Sequence, residues 1–221
     1  MNSVAQTSVL VIDDHPLFRK GVADLIEMEP ALSLIGEAAE GETGIRLART
    51  LKPDLILLDL NMKGMDGIET LGRLRAEDGI DARIVMLTVS DTESDVLAAL
   101  RAGADGYLLK DMEPEDILAN LRDAMQGRLV ISPQLTELLA RALREGPPPR
   151  DPNQAGLTPR EREILALIAK GWSNKLIARE LGCAVGTIKV HVKHILKKLG
   201  LKSRVEAAVW VVNGSRRFEG S

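Results

Sequence analysis

Between residues 8 and 127 the chain alternates short apolar runs with segments of helical period, five times over, and that alternation leaves few folds open. The runs are SVLVI (8–12), LSLIGEA (32–38), LILL (55–58), RIVMLT (83–88) and GYLL (106–109). Several are apolar on consecutive residues rather than alternate ones, as parallel strands covered on both faces must be. After them come Pro16–Met28, Gly41–Leu51, Gly67–Glu77, Thr92–Ala102 and Pro114–Gln126, each with apolar residues spaced for one helix face. A strand–helix unit repeated in this way predicts an α/β fold, a doubly wound parallel sheet with right-handed crossovers. Aromatic residues are 2% of the chain, so its cores must be built from Leu, Ile, Val, Ala and Met.

The pattern then changes. SPQLTELLARALRE (132–145) reads as a helix with Ser132 as N-cap and Pro133 at the first helical position. GPPPRDPNQAG (146–156), with four prolines and two glycines, reads as a flexible tether. Thr158-Pro159-Arg160-Glu161 is a capping box that opens a helix over Pro159–Lys170. Asn174–Leu181, Val185–Leu199 and Ser203–Val212 follow as helices, with Gly182 in the turn between the middle pair. Four short helices in this arrangement fit an all-α helix-turn-helix domain. The expected division is residues 1–130, a linker helix and tether over 131–156, and 157–221.

Charge divides the chain in the same place. Residues 157–221 carry 13 Lys and Arg against 5 Asp and Glu, whereas residues 1–156 carry 16 against 27. An acidic first part suits a cation or phosphate site, and a basic second part suits a polyanion. The single cysteine, Cys183, permits neither an internal disulfide nor a cysteine-built zinc site. It reads as a small packing residue in the turn. With no apolar run of about 18 residues and no basic leader ahead of an apolar stretch, a cytoplasmic protein without membrane contact is expected.

In a doubly wound sheet, ligands bind beyond the carboxyl ends of the strands. Asp13 and Asp14 stand there after the first strand, Asp59 after the third, Thr88 at the end of the fourth and Lys110 after the fifth. Carboxylates gathered in one place repel one another unless a cation neutralises them. A hard divalent ion, Mg²⁺ or Mn²⁺, matches oxygen donors of this kind. His15 is expected to begin the first helix rather than to bind metal, and Met62 and Met65 to pack the loop.

In the basic part, Ile188, Val192, Ile195, Leu196 and Leu199 share one face of the third helix and should be buried. Lys189, Lys193 and Lys197 form a second stripe at i, i+4 and i+8, with Val190 beside it. Like charges so spaced cost a free helix about 0.2–0.5 kcal/mol per pair, a cost that phosphates would relieve. Trp172 and Trp210 read as packing residues.

The segments VIDDHP, LLDLNMKGMDG, LTVS and GADGYLLKD, in this order and spacing over residues 8–127, resemble the receiver domain of two-component response regulators. GLTPREREILALIAKGWSNKLIARELG and TIKVHVKHILKKLGLKSRVEAA, within residues 156–212, resemble the LuxR/NarL-type output domain. Together they are similar to the NarL/LuxR (FixJ) family of response regulators, and within it to the nitrate/nitrite regulators. The resemblance implies a flavodoxin-like strand order 2-1-3-4-5. It implies that Asp59 accepts a phosphoryl group from a sensor histidine kinase. Asp13 and Asp14 would hold the metal ion with Asp59 and the backbone carbonyl of Asn61, Lys110 and Thr88 would bind phosphoryl oxygens, and Tyr107 would move with Thr88. Phosphorylation would release the output domain to dimerise on double-stranded DNA, with Lys189, Val190 and Lys193 facing base edges. Thr187, Lys175, His191 and Lys197 would contact phosphates.

Three departures from the family pattern stand out. Lys63 replaces a usual proline just past Asp59, Asp111 replaces a frequent proline after Lys110, and Ala184-Val185-Gly186 start the recognition helix without a capping Ser or Thr. Two other readings bear comparison. A Mg²⁺-dependent phosphohydrolase of the haloacid-dehalogenase type needs Asp-x-Asp, but Asp59-Leu60-Asn61 offers an amide that cannot transfer the proton. A regulator that needs no phosphorylation would have no use for an intact acidic pocket. A non-enzymatic regulator is expected.

Overall fold

Five parallel strands, β1 (Thr7–Ile12), β2 (Leu32–Ala38), β3 (Leu55–Leu58), β4 (Arg83–Thr88) and β5 (Gly106–Leu109), form one sheet in the order β2-β1-β3-β4-β5. The computed structural model describes residues 6–77, 79–90, 92–125, 128, 130, 131, 133–145 and 155–218. The strands alternate with α1 (Pro16–Glu27), α2 (Gly41–Leu51), α3 (Gly67–Ala76), α4 (Glu93–Ala102) and α5 (Pro114–Met125), and the chain divides into compact units at Met125. The expected α/β class, strand order and helix sequence are all present.

The consecutive apolar runs have the cause inferred for them. Leu55, Ile56, Leu57 and Leu58 are each at most 2% exposed, so both faces of β3 are covered. Burying each such side chain contributes about 1.5–3 kcal/mol relative to leaving it in water. Helices end where local chemistry says they should. Asp66 caps α3 by accepting the Glu69 N–H at 2.8 Å, and Gly103 closes α4 at φ 106°.

Register is what matters for the site. Ile12 pairs with Leu58, and Thr88 pairs with Leu109. The ladder runs one residue further, with Asp59 N–H donating to Ile12 O at 2.9 Å and Lys110 N–H to Thr88 O at 2.8 Å. The residues that follow β1, β3 and β5 therefore leave the sheet at the same end, β1 beside β3 and β5 one strand further along, beyond β4.

The second unit contains α6 (Pro133–Glu145), α7 (Pro159–Ala169), α8 (Asn174–Glu180), α9 (Val185–Leu199) and α10 (Arg204–Phe218). Its core joins Ile164, Ile168, Ile177, Ile188, Ile195 and Leu199 with Ala207 and Ala208. The expected linker helix, α6, packs against α10 within this unit. Ser132, and the tether except for its last two residues, lie outside the described residues. The last helix extends six residues past the expected end at Val212. Asn213, Gly214 and Ser215 are poor helix formers, but each costs at most about 1 kcal/mol in a helix interior, too little to stop a helix already propagating. No described helix is long and apolar enough to cross a membrane.

Candidate functional site

At the carboxyl end of the sheet, β1, β3 and β5 bring Asp13, Asp59 and Lys110 into one pocket. Lys110 Nζ lies 2.7 Å from Asp13 Oδ2 and 2.9 Å from Asp59 Oδ2. All three side chains are at most 5% exposed. The Lys110 ammonium also sits 4.6 Å from the centre of the Phe18 ring on α1, an attraction between cation and ring face. Asp14 completes the cluster, and one oxygen each of Asp13, Asp14 and Asp59 falls within 4.8 Å of the others and of a His15 nitrogen.

Loops hold these carboxylates in place. Asp13 Oδ1 accepts the His15 N–H at 2.8 Å, and the Arg19 guanidinium donates to Asp13 O at 2.5 Å. Asp14 Oδ2 accepts the Lys63 N–H at 3.1 Å, and Asp59 Oδ1 the Asn61 N–H at 3.3 Å. Asp14 Oδ1 and Asp59 Oδ2 are buried yet make no hydrogen bond. Lys110 approaches the latter as an ion pair out of hydrogen-bond alignment. Three carboxylates against one ammonium leave two formal negative charges in excess, with Asp13 and Asp59 buried and Asp14 partly exposed. The pocket's oxygen donors and unbonded buried oxygens fit a hard divalent cation.

Thr88 and Tyr107 stand beside it. Thr88 is fully buried at the end of β4, and its hydroxyl accepts the Ser90 N–H at 3.3 Å. Tyr107 is turned inward, 1% exposed, and its hydroxyl donates to Ser90 O at 2.8 Å. Ser90 in turn donates to Asp95 on α4 at 2.5 Å. The β4–α4 connection thus ties the threonine and the tyrosine to one helix.

In the helical unit, the apolar stripe of α9 is buried at Ile188, Val192, Ile195 and Leu199, and Leu196 is half-buried against the same core. The other face carries Thr187, Lys193 and Lys197 exposed, Lys189 and His191 half-buried, and Val190 54% exposed. Lys175, on α8, is exposed. Ala184 caps α9 with no side-chain hydrogen bond. The expected capping box is formed, Thr158 N–H donating to Glu161 Oε2 at 2.8 Å and Glu161 N–H to the Thr158 hydroxyl at 3.2 Å. Lys198 on α9 reaches the same Glu161 carboxylate at 2.7 Å, which pins the helix to the start of α7. Burial pushes the Glu161 carboxyl up. The Lys198 ammonium and the Thr158 amide and hydroxyl outweigh that and hold it below the usual carboxylate range.

Some residues of these sites were not anticipated. Phe18, Arg19, Ser90 and Asp95 were read only as helix or loop positions, and Lys198 only as one more lysine. The capping box alone carried a sequence signal for any of their contacts, through Glu161. The others depend on which side chains two distant elements bring together.

A cluster of three carboxylates and a lysine at the carboxyl end of a receiver-type sheet, followed in one chain by a helix-turn-helix, defines a response regulator. Residues 9–122 match the response regulator receiver domain and residues 155–211 the luxR family of bacterial regulatory proteins. The chain belongs to the NarL-type response regulators with a LuxR-family DNA-binding domain. It is 57% identical over 213 residues to the nitrate/nitrite response regulator protein NarL of Escherichia coli, covering 96% of this chain and 97% of that one. It is 45% identical over 201 residues to a nitrate/nitrite response regulator protein homolog of Haemophilus influenzae, covering 91% of this chain and 94% of that one. Among solved structures, the response regulator ChrA of a heme-sensing two-component system is 31% identical, with a TM-score of 0.51 over 96% of this chain and 98% of that one.

Proposed function

We propose that this chain is a phosphorylation-activated, DNA-binding transcription regulator of a nitrate/nitrite-responsive two-component system, working in the cytoplasm. The observation that carries the reading is the buried Asp59 carboxylate, flanked by Asp13, Asp14 and Lys110, in a chain that also presents a basic helix-turn-helix. Asp59 is the phosphoacceptor, and a sensor histidine kinase is the donor. Asp13, Asp14 and Asp59, with the backbone carbonyl of Asn61, would hold Mg²⁺ or Mn²⁺. Such an ion neutralises charge that builds on the transferring phosphoryl group.

Lys110 holds a positive charge where the new phosphoryl oxygens arrive, 2.9 Å from Asp59. Thr88 supplies a hydroxyl at the end of the neighbouring strand, and the Ser90 contacts of Thr88 and Tyr107 couple its movement to α4. Phosphorylation adds negative charge and acceptor oxygens that reorganise this loop. The output domain then binds double-stranded DNA as a homodimer. Lys189, Val190 and Lys193 read base edges, lysine pairing with guanine acceptors and valine with a thymine methyl. Thr187, Lys175, His191 and Lys197 contact phosphates.

The test is DNA binding by wild type and Asp59→Asn, each with and without a small-molecule phosphodonor. Wild type should tighten its binding on donor treatment and the variant should not. Equal tightening in both would rule out Asp59 as the trigger.

A further inference from the structure

His15 is the one member of the acidic pocket with no part in the mechanism above. It stands at the N-cap of α1 without capping it by its side chain, and its side chain is 65% exposed. Its Nδ1 nonetheless faces inward, 3.0 Å from Asp14 Oδ1, 3.5 Å from Asp13 Oδ1 and 3.7 Å from Asp59 Oδ2. Two ligand atoms on one divalent ion, each about 2.1 Å from it and about 90–120° apart, lie roughly 3.0–3.6 Å from each other. The imidazole nitrogen is therefore spaced from the three carboxylates much as a further ligand of the same ion would be. Asp59 Oδ2, in a side chain only 2% exposed, makes no hydrogen bond, its charged neighbour besides His15 being Lys110 at 2.9 Å, and one Asp59 oxygen lies within 4.8 Å of the Asp13, Asp14 and His15 ligand atoms.

We infer that His15 Nδ1 is a nitrogen ligand to divalent transition ions in this pocket, adding one nitrogen to the oxygen donors of Asp13, Asp14, Asp59 and the Asn61 carbonyl. The inference rests on reading the pocket as a cation site and adds a selectivity to it. Mg²⁺ prefers oxygen and keeps its waters, so it gains little from an imidazole. Mn²⁺ and Zn²⁺ accept imidazole, Zn²⁺ the more strongly. His15 thus makes the pocket discriminate in favour of transition ions, which compete there with Mg²⁺.

Mn²⁺ is the probe, in the full chain carrying His191→Gln and His194→Gln, so that His15 is the last imidazole left. Pulsed electron paramagnetic resonance should show nitrogen-14 coupling to the bound Mn²⁺, and His15→Ala should abolish that coupling while Mn²⁺ remains bound. Equilibrium dialysis should show Zn²⁺ binding weakened on the order of tenfold by His15→Ala, with Mg²⁺ binding changed less than twofold. Bound Mn²⁺ without nitrogen coupling, or Zn²⁺ affinity indifferent to His15→Ala, overturns the inference and leaves the oxygen site standing. If neither Mn²⁺ nor Mg²⁺ binds in a way that Asp59→Asn abolishes, the pocket reading itself fails and the inference falls with it.

Discussion

Gly67 sits where no side chain fits. A Cβ there would stand 2.2 Å from Asp59 O and 2.6 Å from Leu60 Cα, both backbone atoms that cannot swing aside. Its N–H donates to Leu60 O at 2.8 Å, so α3 begins in contact with the phosphoacceptor loop. Gly67→Ala should destabilise the receiver by about 1–3 kcal/mol and slow phosphorylation of Asp59. Urea unfolding and phosphodonor labelling would measure the two effects, and wild-type values for both would refute the argument. At the opposite end of the sheet, Arg75 donates to Asp105 Oδ2 at 2.5 Å, to Gly103 O and to Ala82 O, and Asp105 also accepts the Ile84 N–H. Asp105 is nearly buried while Arg75 keeps some solvent access. Asp105→Ala removes the charge partner of the part-exposed Arg75 guanidinium and the acceptor of the Ile84 N–H and should cost about 1–3 kcal/mol, read as a lower urea midpoint by far-ultraviolet circular dichroism. An unchanged midpoint would mean that solvent reaches the pair and replaces it. Gly67 and Asp105 fall within the motifs that carry the family resemblance, but no local pattern records their contacts, because each depends on where a distant backbone segment passes.

At the scale of elements, most of the fold was legible. Strands stood out because burial on both faces makes them continuously apolar, and helices because one buried face imposes a period near 3.6. The capping box of α7 was readable because both its hydrogen bonds lie within four residues. Apart from the C-terminus of α10, which runs six residues further than expected, ends differed by a residue or so, as with α4 beginning at Glu93 behind Thr92, where a terminal turn frays anyway. The start of α9 is the element-level weakness. Ala184 has the extended backbone of an N-cap, φ −72° and ψ 146°, but no side-chain acceptor for the helix's first N–H groups. Ala184→Ser should therefore stabilise the second unit by about 1 kcal/mol. Trp172 and Trp210, the chain's two tryptophans, both border that core, so their fluorescence follows its unfolding alone. No rise in the unfolding midpoint would show that the bare N-cap costs this helix nothing.

Across the whole molecule, charge is segregated, with an excess of acid in residues 1–156 and of base in 157–221. DNA binding through the basic unit should weaken as salt rises, since each neutralised phosphate releases counterions. Lys193→Ala should lower the slope of log affinity against log salt by about 0.9 if Lys193 pairs with a phosphate. If it reads a base edge instead, the loss should be concentrated on particular sequences, with a smaller change in slope. Fluorescence anisotropy over a salt series, on specific and scrambled duplexes, separates the two. A variant that matches wild type on both duplexes would remove Lys193 from the interface.

The amino-acid pattern alone determined which elements exist, their order, and that Asp13, Asp14, Asp59, Thr88 and Lys110 all fall at carboxyl ends of strands. Those are local properties, written in hydrophobic period and in the residue that follows each run. Tertiary structure alone decided how near the groups come: Lys110 between Asp13 and Asp59, Phe18 under its ammonium, Tyr107 turned onto Ser90, and His15 among the carboxylates. Such distances follow from strand register and loop path, which are set by packing between segments far apart in the chain, where no local pattern records them.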